Sequence, residues 1–210
     1  MRNKLKKRGW YDGWFYATFI DGDSFGLREI LFREIEPGQS VLDVGCGTGG
    51  LALKLAEKCQ YVAGVDISAK QIKVAQKRKQ KSGLQNVEFF HTNGDELTEI
   101  FQQKFDTAVF SFVLHEMNPQ ERMDVLNSVK KISSKLIILD YPAPLVKNIW
   151  GIFIRLIEFI AGKEHFRNYK HFQKNNGLKP LLEKSGFSIL NEKLNRKKII
   201  TIVSAHINSF

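Results

Sequence analysis

The sequence predicts an α/β protein with a doubly wound, mostly parallel sheet. Short β-rich runs alternate along the chain with segments of helical spacing. The first run, Val41 to Val44, leads into the glycine-rich turn of VLDVGCGTGG, and a helix follows. The second run, Tyr61 to Val65, ends at Asp66. A strand, a glycine turn, a helix and a second strand with a terminal carboxylate are typical of the nucleotide-binding half of such a sheet.

The N-terminal half supplies the first helices and strands. Apolar residues from Leu27 to Ile35 have helical spacing, and Pro37-Gly38 ends that helix. Ser68 is expected to cap a basic helix that closes at Ser82-Gly83. The predicted elements are helix Phe25 to Ile35, strand Val41 to Val44, a helix from near Gly50 to Ala56, strand Tyr61 to Val65, helix Ser68 to Lys81 and strand Val87 to Phe90.

The C-terminal half continues the alternation and ends in a hairpin. The fourth strand begins at Phe105, and Pro119 starts a helix that runs through Ile132. The fifth strand is the β-rich run Leu136 to Leu139. Two further β-rich runs, Phe187 to Leu194 and Ile199 to His206, flank the basic turn Asn195 to Lys198, which predicts a terminal β-hairpin.

The bulk composition fits one globular domain. The 210 residues are enough for a full core, and we expect a single domain over residues 1–210. No apolar h-region with a small-residue cleavage site follows the basic N-terminus. Only two cysteines occur, Cys46 and Cys59, without metal-ligand spacing. We therefore expect a cytoplasmic protein with reduced thiols and no metal.

The net charge of +10 is concentrated in three basic clusters, Arg2 to Arg8, Lys70 to Lys81 and Lys193 to Lys198. A basic surface can bind nucleic acid or anionic lipid. No RNA-binding module or aromatic-basic pattern accompanies the charge. We interpret the clusters as solvated helix faces and a hairpin turn, so nucleic acid is not the expected partner.

The glycine turn is the strongest functional signal. Gly45, Gly47 and Gly49 lack a Cβ, so the backbone can turn tightly and a ligand can lie against it. The following helix directs its free N–H groups to the same place. Gly45, Gly47 and Gly50 also fit the dinucleotide fingerprint, which is weak by itself. Asp43 separates the two interpretations, because a carboxylate repels a pyrophosphate but attracts a ligand that carries an ammonium and a sulfonium.

The run Asp43-Val44-Gly45-Cys46-Gly47-Thr48-Gly49 resembles the D-x-G-x-G-x-G motif of the S-adenosylmethionine-dependent methyltransferases with a doubly wound fold. The resemblance covers roughly residues 38 to 207, and its strong signals lie within residues 41 to 116. It implies a seven-stranded, mostly parallel sheet with an antiparallel last strand. It also implies S-adenosyl-L-methionine as cofactor and S-adenosyl-L-homocysteine as product. The predicted cofactor-binding residues are Asp43, Gly45, Cys46, Gly47, Gly49, Asp66, Ile67, Asp95, Glu96 and Ser111.

Three of these residues have distinct expected roles. Asp66 lies about 20 positions beyond the glycines, where a carboxylate accepts hydrogen bonds from ribose hydroxyls. In the resembling family an acidic residue meets the adenine amine, and Asp95 matches that place, with Glu96 as a nearby competitor. Ser111, at the end of the fourth strand, is expected to border the methionine moiety. The family's Pro-Gly-Gly before the fifth strand is replaced here by Ile132-Ser133-Ser134-Lys135, which we expect to alter only the turn.

The exit of the fourth strand carries the candidate catalytic residue. The run Leu114-His115-Glu116-Met117 resembles small-molecule methyltransferases, including those of quinone biosynthesis. It does not resemble the Asn-Pro-Pro-Tyr type run of amino-methylating nucleic-acid enzymes. We predict His115 as the general base for a hydroxyl or acidic C–H acceptor, and Glu116 as a substrate contact. A packed or capping histidine is the alternative.

Aromatic residues crowd the N-terminal segment before the fold proper. In small methyltransferases of this type such a segment often closes over the cofactor and acceptor, so we predict a cap over residues 1–36. Tyr11 and Tyr16 would then place a hydroxyl near the substrate. The alternative is that these rings only cover the edge of the core.

The segment after the fifth strand is a predicted helical insert over residues 145–175. Leu145 to Ala161 is apolar on nearly every side, yet too short and too charged for a membrane span. A lid over an apolar acceptor, a homodimer contact and a peripheral membrane element stay open, and we favour a lid or core-packing helix. Beyond it, His165, Asn168 and Tyr169 either touch substrate or lie in a solvated loop. The predicted substrate contacts of the C-terminal half are Tyr141 and Tyr169.

These observations favour a methyltransferase that acts on a small apolar or aromatic molecule, such as a quinone precursor or a lipid-like acceptor. Methylation of RNA or protein is the alternative within the transferases. A non-catalytic cofactor-binding protein is a second alternative. A nicotinamide-dependent oxidoreductase is a third, which Asp43 and the terminal hairpin oppose.

Overall fold

The computed structural model describes residues 26–207. Tyr11, Tyr16 and most of the predicted N-terminal cap therefore lie outside the described residues. Within them, the strands are β1 (Ser40–Val44), β2 (Tyr61–Asp66), β3 (Val87–His91), β4 (Phe105–Ser111), β5 (Ser133–Asp140), β6 (Phe187–Leu194) and β7 (Thr201–Ile207). The helices are α1 (Leu27–Glu34), α2 (Gly50–Ala56), α3 (Ala69–Ser82), α4 (Leu97–Ile100), α5 (Pro119–Ile132), α6 (Ile149–Ile160), α7 (Lys163–Lys174) and α8 (Leu178–Lys184).

The strands form one seven-stranded sheet in the order β3-β2-β1-β4-β5-β7-β6. Strand β1 pairs in parallel with β2 and β4, and β5 pairs in parallel with β4. Strand β7 runs antiparallel to both β5 and β6. The predicted doubly wound sheet with an antiparallel last strand is therefore confirmed. The strand order reverses between β1 and β4, and their carboxyl ends flank the crevice where such sheets bind ligands.

Helices cover both faces of the sheet and bury its central strands. Val41, Leu42, Val109 and Phe110 of β1 and β4 are inaccessible to solvent. One face packs against α1, α2, α3 and α6, and the other packs against α4, α5 and α8. Burial on both faces explains why these strands read as continuous apolar runs rather than alternating ones.

Local capping agrees with the sequence signals. The Ser68 side chain accepts a hydrogen bond from the amide of Gln71, and Gly83 ends α3 with φ 73°. Helix α5 begins with a capping box, in which the Asn118 and Glu121 side chains each accept from the other's backbone amide. Strand β5 starts at Ser133, directly after α5 ends at Ile132, so no turn replaces the missing Pro-Gly-Gly.

The predicted insert consists of two helices. The polar-aromatic cluster around His165 is not a solvated loop, because it belongs to α7. Asn168, Tyr169 and Phe172 are buried, and Phe172 follows the other two by four and three residues, which is a helical spacing that can be read from the sequence. No helix within residues 26–207 is long and apolar enough to cross a membrane.

Candidate functional site

The glycine turn after β1 has a backbone that favours glycine. Gly45, Gly47 and Gly49 have φ values of 76°, 55° and 78°, in the left-handed region. A Cβ on Gly45 would overlap the Val113 side chain, and a Cβ on Gly49 would overlap the Phe89 ring. The turn is therefore shaped by close packing on one side, and it leaves its other side open to a cavity.

Asp66, at the end of β2, is fixed against this turn. Its Oδ2 accepts a hydrogen bond from the amide of Gly47 at 2.8 Å, and its Oδ1 accepts from the amide of Ser68 at 2.8 Å. A carboxylate has about four acceptor positions, and these two bonds fix its orientation. The strand ends thus place an oriented anion beside the glycine turn.

A cavity of about 430 Å³ opens beside the turn, where the ends of β1 and β2 meet the start of α5. Its volume is in the range of small-molecule sites. Its walls include residues that the sequence did not single out, among them Asn93, Val113 and Met117. The predicted site residues on its walls are Gly45, Gly47, Asp66, Ile67, Asp95 and Glu116.

A smaller cavity of about 50 Å³ lies on the other side of the same turn. Gly45 and Gly47 line both cavities, so the two spaces adjoin. Arg28 of α1 and Phe112 also line it, and Phe112 has φ 55°, which is rare for a bulky residue. The predicted site residues on its walls are Asp43, Gly45, Cys46, Gly47 and Ser111.

Asp43 is a buried carboxylate that the described residues leave unsatisfied. It is 1% exposed, and neither oxygen has a hydrogen-bond partner in that part of the chain. Burial and the Asp66 carboxylate raise the pKa of Asp43 to about 7, against weaker lowering by the Ala52 amide and Arg28. The Ala52 amide lowers this pKa as a nearby dipole, because neither Asp43 oxygen has a hydrogen-bond partner among residues 26–207. Such a group is costly unless a cation reaches it.

Two predicted cofactor residues line neither cavity. Gly49 packs against Phe89. The Glu96 carboxylate lies within hydrogen-bond distance of the Asn93 amide group at 3.2 Å and of the Thr92 hydroxyl at 3.4 Å. Of the two acidic candidates for the adenine amine, Asp95 is the one on the cavity wall.

A second polar cluster lies beyond the end of β4, around His115. The His115 Nδ1 is 2.6 Å from Oδ1 of Asp140, and its backbone amide donates to Oδ2 of Asp140 at 3.2 Å. Its Nε2 is 3.7 Å from the Glu158 carboxylate on α6. Glu158 in turn is 2.5 Å from Nε2 of His165 on α7. Residues from β5, α6 and α7 therefore converge on one imidazole.

The electrostatics of this cluster favour a charged imidazole. Burial alone would lower the pKa of His115, but Asp140, Glu158 and Glu116 outweigh it and raise the pKa to about 9. Burial would also raise the pKa of Glu158, but His115 and His165 hold it below its usual value. Burial and the same carboxylates raise the pKa of Tyr141 well above that of a free phenol.

The predicted catalytic and substrate-contacting residues differ in their access to the cavities. His115 is 2% exposed and lines neither cavity, whereas Glu116 lines the larger one. Tyr141 and Tyr169 are buried against the His115 ring, with centroid distances of 4.7 Å and 6.3 Å. Protonated and enclosed in this way, His115 is poorly placed to accept a proton, so its role as general base stays a prediction.

Arg122 of α5 holds this region together, and no sequence pattern pointed to it. Its guanidinium donates to the carbonyl oxygens of Leu114, His115 and Asn168 at 2.6, 3.0 and 2.7 Å. Those carbonyls lie up to 46 residues away along the chain. Local spacing does not link an arginine in the first turn of a helix to such partners.

Comparison with known proteins agrees with this geometry. A model of the family described as "Methyltransferase domain" matches residues 35–186. A demethylmenaquinone methyltransferase of Listeria welshimeri is 28% identical over 147 residues, which is 66% of this chain and 61% of that protein. A ubiquinone/menaquinone biosynthesis C-methyltransferase of Wigglesworthia glossinidia brevipalpis is 25% identical over 80% of this chain and 74% of that protein. The match thus spans about three fifths of the Listeria relative.

Solved structures share the fold. A magnesium protoporphyrin IX methyltransferase from Synechocystis PCC 6803, solved with bound S-adenosylhomocysteine, superposes with a TM-score of 0.61 and 22% identity. The superposition covers 87% of this chain and 81% of that one. A SAM-dependent methyltransferase from Aquifex aeolicus superposes with a TM-score of 0.62 and 20% identity, over 86% of this chain and 89% of that one.

Proposed function

This chain belongs to the methyltransferase domain family, and from that premise we propose that it transfers a methyl group from S-adenosylmethionine to a small apolar or aromatic molecule. The observation that carries the proposal is Asp43. An unsatisfied, buried carboxylate beside a glycine turn fits a ligand with a positively charged amine. The amine stabilises the ionised carboxylate, which has lost its contact with water through burial. A pyrophosphate ligand would add negative charge at the same place.

The two adjoining cavities supply the remaining contacts for this cofactor. In the proposal, Asp66 accepts from the ribose hydroxyls and Asp95 from the adenine amine, while Ile67 and Val113 contact the adenine ring. Asp43, Cys46 and Ser111 surround the methionine end. Burial and the carboxylates of Asp43 and Asp66 raise the pKa of the Cys46 thiol well above its usual value, so Cys46 stays a neutral wall.

The bound cofactor supplies an electrophilic methyl group on a positively charged sulfur. The protein's part is to align the acceptor with it and to exclude water, and proximity and orientation account for most of the effect. Glu116 is the ionisable group of the exit segment that reaches the larger cavity, and we assign it to contact the acceptor. His115, the predicted base, lies behind it.

The class of acceptor is proposed from two features. The relatives named above are methyltransferases of menaquinone and ubiquinone biosynthesis, and quinone precursors are apolar aromatic molecules. Phe112 lines the smaller cavity, and its ring lies 5.2 Å from the ring of Tyr141. We therefore propose a quinone precursor or a similar lipid-like ring as acceptor, in the cytoplasm.

Calorimetry with S-adenosylmethionine and S-adenosylhomocysteine tests cofactor binding. We expect the wild type to bind both compounds, and Asp66→Ala and Gly47→Val to lose binding while they stay folded. Gly38→Val is the matched control for Gly47→Val, since Gly38 also has a positive φ, 79°, and lines neither cavity. Wild-type protein that binds a reduced nicotinamide instead would overturn the assignment.

Transfer of a radiolabelled methyl group tests the acceptor class. The labelled cofactor is incubated with enzyme and a cell extract, and the label is followed into lipid-soluble, nucleic-acid and protein fractions. We expect the lipid-soluble fraction to be labelled by the wild type and not by Asp66→Ala. Label in RNA would indicate the rival acceptor, and no transfer despite tight cofactor binding would indicate a non-catalytic binding protein.

The outward face of α6 supports a peripheral membrane contact for a lipid-like acceptor. Glu158 and Ile154 face inward, which places the apolar side outward, the inverse of an ordinary surface helix. Lys147 and Lys163 are exposed at the two ends of α6, and Lys197 Nζ lies 3.6 Å from the Trp150 ring centroid, so anionic lipid complements the rim. The exposed apolar residues of α6 are Ile149, Trp150, Ile152, Phe153, Leu156, Phe159 and Ile160.

Vesicle co-sedimentation tests this surface. We expect binding to vesicles with anionic lipid, weaker binding to neutral ones, and loss of binding in Phe153→Ser/Leu156→Ser. Light scattering on the same samples detects the homodimer alternative. A wild-type dimer that the double variant separates, without any vesicle binding, would overturn the membrane assignment.

A further inference from the structure

The cluster beyond β4 brings together three side chains that ligate metals. His115, Glu158 and His165 each offer one ligand atom, and these three atoms lie within 4.8 Å of one another. The three side chains are 2%, 4% and 10% exposed. They come from three separate segments: the exit of β4, helix α6 and helix α7. Two imidazoles and one carboxylate are the ligand set of several zinc sites.

The two distances from the Glu158 carboxylate suit one small ion after minor adjustment. Ligand atoms that bind a tetrahedral ion at about 2.0–2.1 Å stand about 3.3 Å apart. The distance from Glu158 Oε2 to His115 Nε2 is 3.7 Å, and to His165 Nε2 it is 2.5 Å. The first pair must close by a few tenths of an ångström, and the second must open by less than about 1 Å, which side-chain rotation on α6 and α7 can provide.

The atoms around the cluster resemble the outer shell of a metal site. Asp140 accepts from Nδ1 of His115 at 2.6 Å, which leaves Nε2 as the atom that faces Glu158 and His165. Asp140, Glu158 and Glu116 place three carboxylates around the His115 ring, and a dication with two neutral imidazoles neutralises two of these charges. The Glu116 Oε1 lies 3.9 Å from Nε2 of His115, within reach of a fourth ligand position.

We propose that His115, Glu158 and His165 bind one divalent transition-metal ion, with Zn²⁺ as the reference ion and Glu116 as the fourth ligand. The ion would join α6 and α7 to the end of β4 and so fix the insert over the sheet. Because Glu116 also lines the larger cavity, the ion would set the position of that wall. The proposal concerns metal binding alone, and it stands or falls independently of methyl transfer.

Titration of chelator-treated, folded protein with Zn²⁺ and Co²⁺ tests the proposal. We expect one equivalent of Zn²⁺ per chain by calorimetry and by elemental analysis after gel filtration. Bound Co²⁺ should show the intense visible absorption of a four-coordinate site with nitrogen ligands. Wild-type protein that binds neither ion at one equivalent would overturn the proposal, and this result needs no variant to fold.

Variants identify the ligands. Glu158→Gln and His165→Gln should each weaken Zn²⁺ binding at least about 100-fold, and Asp140→Asn about 10- to 100-fold through orientation of His115. Glu164→Gln, at an exposed position on α7, is the matched control and should bind as the wild type does. Circular dichroism of the metal-free variants checks that each one folds. Unchanged affinity in both Glu158→Gln and His165→Gln would place any bound metal elsewhere and refute the site.

Discussion

Asp43 and Asp140 both lie near the carboxyl ends of parallel strands in the same sheet, and both are inaccessible to solvent, but their surroundings are opposite. Asp140 accepts from Nδ1 and the amide of His115 and from the amide of Tyr141, at 2.6, 3.2 and 2.7 Å. Neither oxygen of Asp43 has a hydrogen-bond partner among residues 26–207. A buried carboxylate can therefore have either of two roles. The hydrogen-bonding capacity of Asp140 is satisfied by the chain itself, whereas that of Asp43 is satisfied only when a cationic ligand binds.

The largest expected effect is on stability at Asp140. Asp140→Asn replaces an acceptor oxygen by an NH₂ group, and all three partners of Asp140 are donors, so at least one pair of donors must face each other. We expect the free energy of unfolding to fall by about 3 kcal/mol, the sum of a lost charged hydrogen bond and an unsatisfied donor. Denaturant unfolding measures it.

Asp106→Asn is the matched control for that experiment. Asp106 also accepts two hydrogen bonds, from the amide and hydroxyl of Ser40, but at an exposed strand end. We expect a loss of about 1 kcal/mol or less there, because water can replace the lost partner. Equal losses of unfolding free energy in the two variants would show that burial does not increase the importance of the Asp140 hydrogen bonds.

The second effect is on ligand binding at Asp43. Asp43→Asn removes the charge that the proposal assigns to the cofactor amine, so affinity for S-adenosylmethionine should fall about 100-fold. The ligand-free variant should be more stable than the wild type at pH 8, because Asp43 is mostly ionised there although burial and Asp66 raise its pKa from 3.8 to about 7, and asparagine does not carry that buried charge.

If Asp43 and Asp140 differ as described, Asp43→Asn must raise the stability of the ligand-free protein and lower its affinity for S-adenosylmethionine. If Asp43→Asn instead destabilised the ligand-free protein as Asp140→Asn does, the Asp43 carboxylate would have a partner that the geometry does not reveal. Calorimetry for affinity and denaturant unfolding for stability, on the same preparations, decide it.

The third effect is a pH dependence of cofactor affinity that Asp43 should confer. The unfolded carboxyl has a pKa of 3.8, and in the fold it is raised to about 7 by burial and Asp66, with Arg28 opposing. Between these values the folded state binds more protons, so the contribution of Asp43 to ligand-free stability falls as the pH rises through this window. Cofactor affinity moves the other way and should drop about tenfold from pH 8 to pH 6. Asp43→Asn should lack this dependence, and a wild-type affinity that is flat over this range would contradict the assignment.

The same contrast explains what the sequence could reveal. Asp43 is two residues from Gly45, and Asp66 closes the next strand, so one contiguous pattern predicted the cofactor wall and the parallel sheet. The cluster at Asp140 draws on His115, Glu158 and His165, which lie up to 50 residues apart and meet only because α7 folds back over the strand ends. Periodicity predicts whether a segment is a helix or a strand, but it does not predict which residues its buried charged side chains contact. The sequence therefore could not predict this cluster, the contacts of Arg122 or the burial of the Glu158 side chain.

The smallest expected effects separate two adjacent acidic residues, Asp95 and Glu96. Asp95 lines the larger cavity, whereas the Glu96 carboxylate lies close to the Asn93 and Thr92 side chains. Asp95→Asn should weaken cofactor binding several-fold, since one hydrogen bond is worth about 0.5–1.5 kcal/mol. Glu96→Gln should lower stability by a similar amount and leave affinity unchanged. The reverse outcome would assign the adenine contact to Glu96, and it would require the loop after β3 to rearrange when the ligand binds, since Glu96 lines neither cavity in this structure.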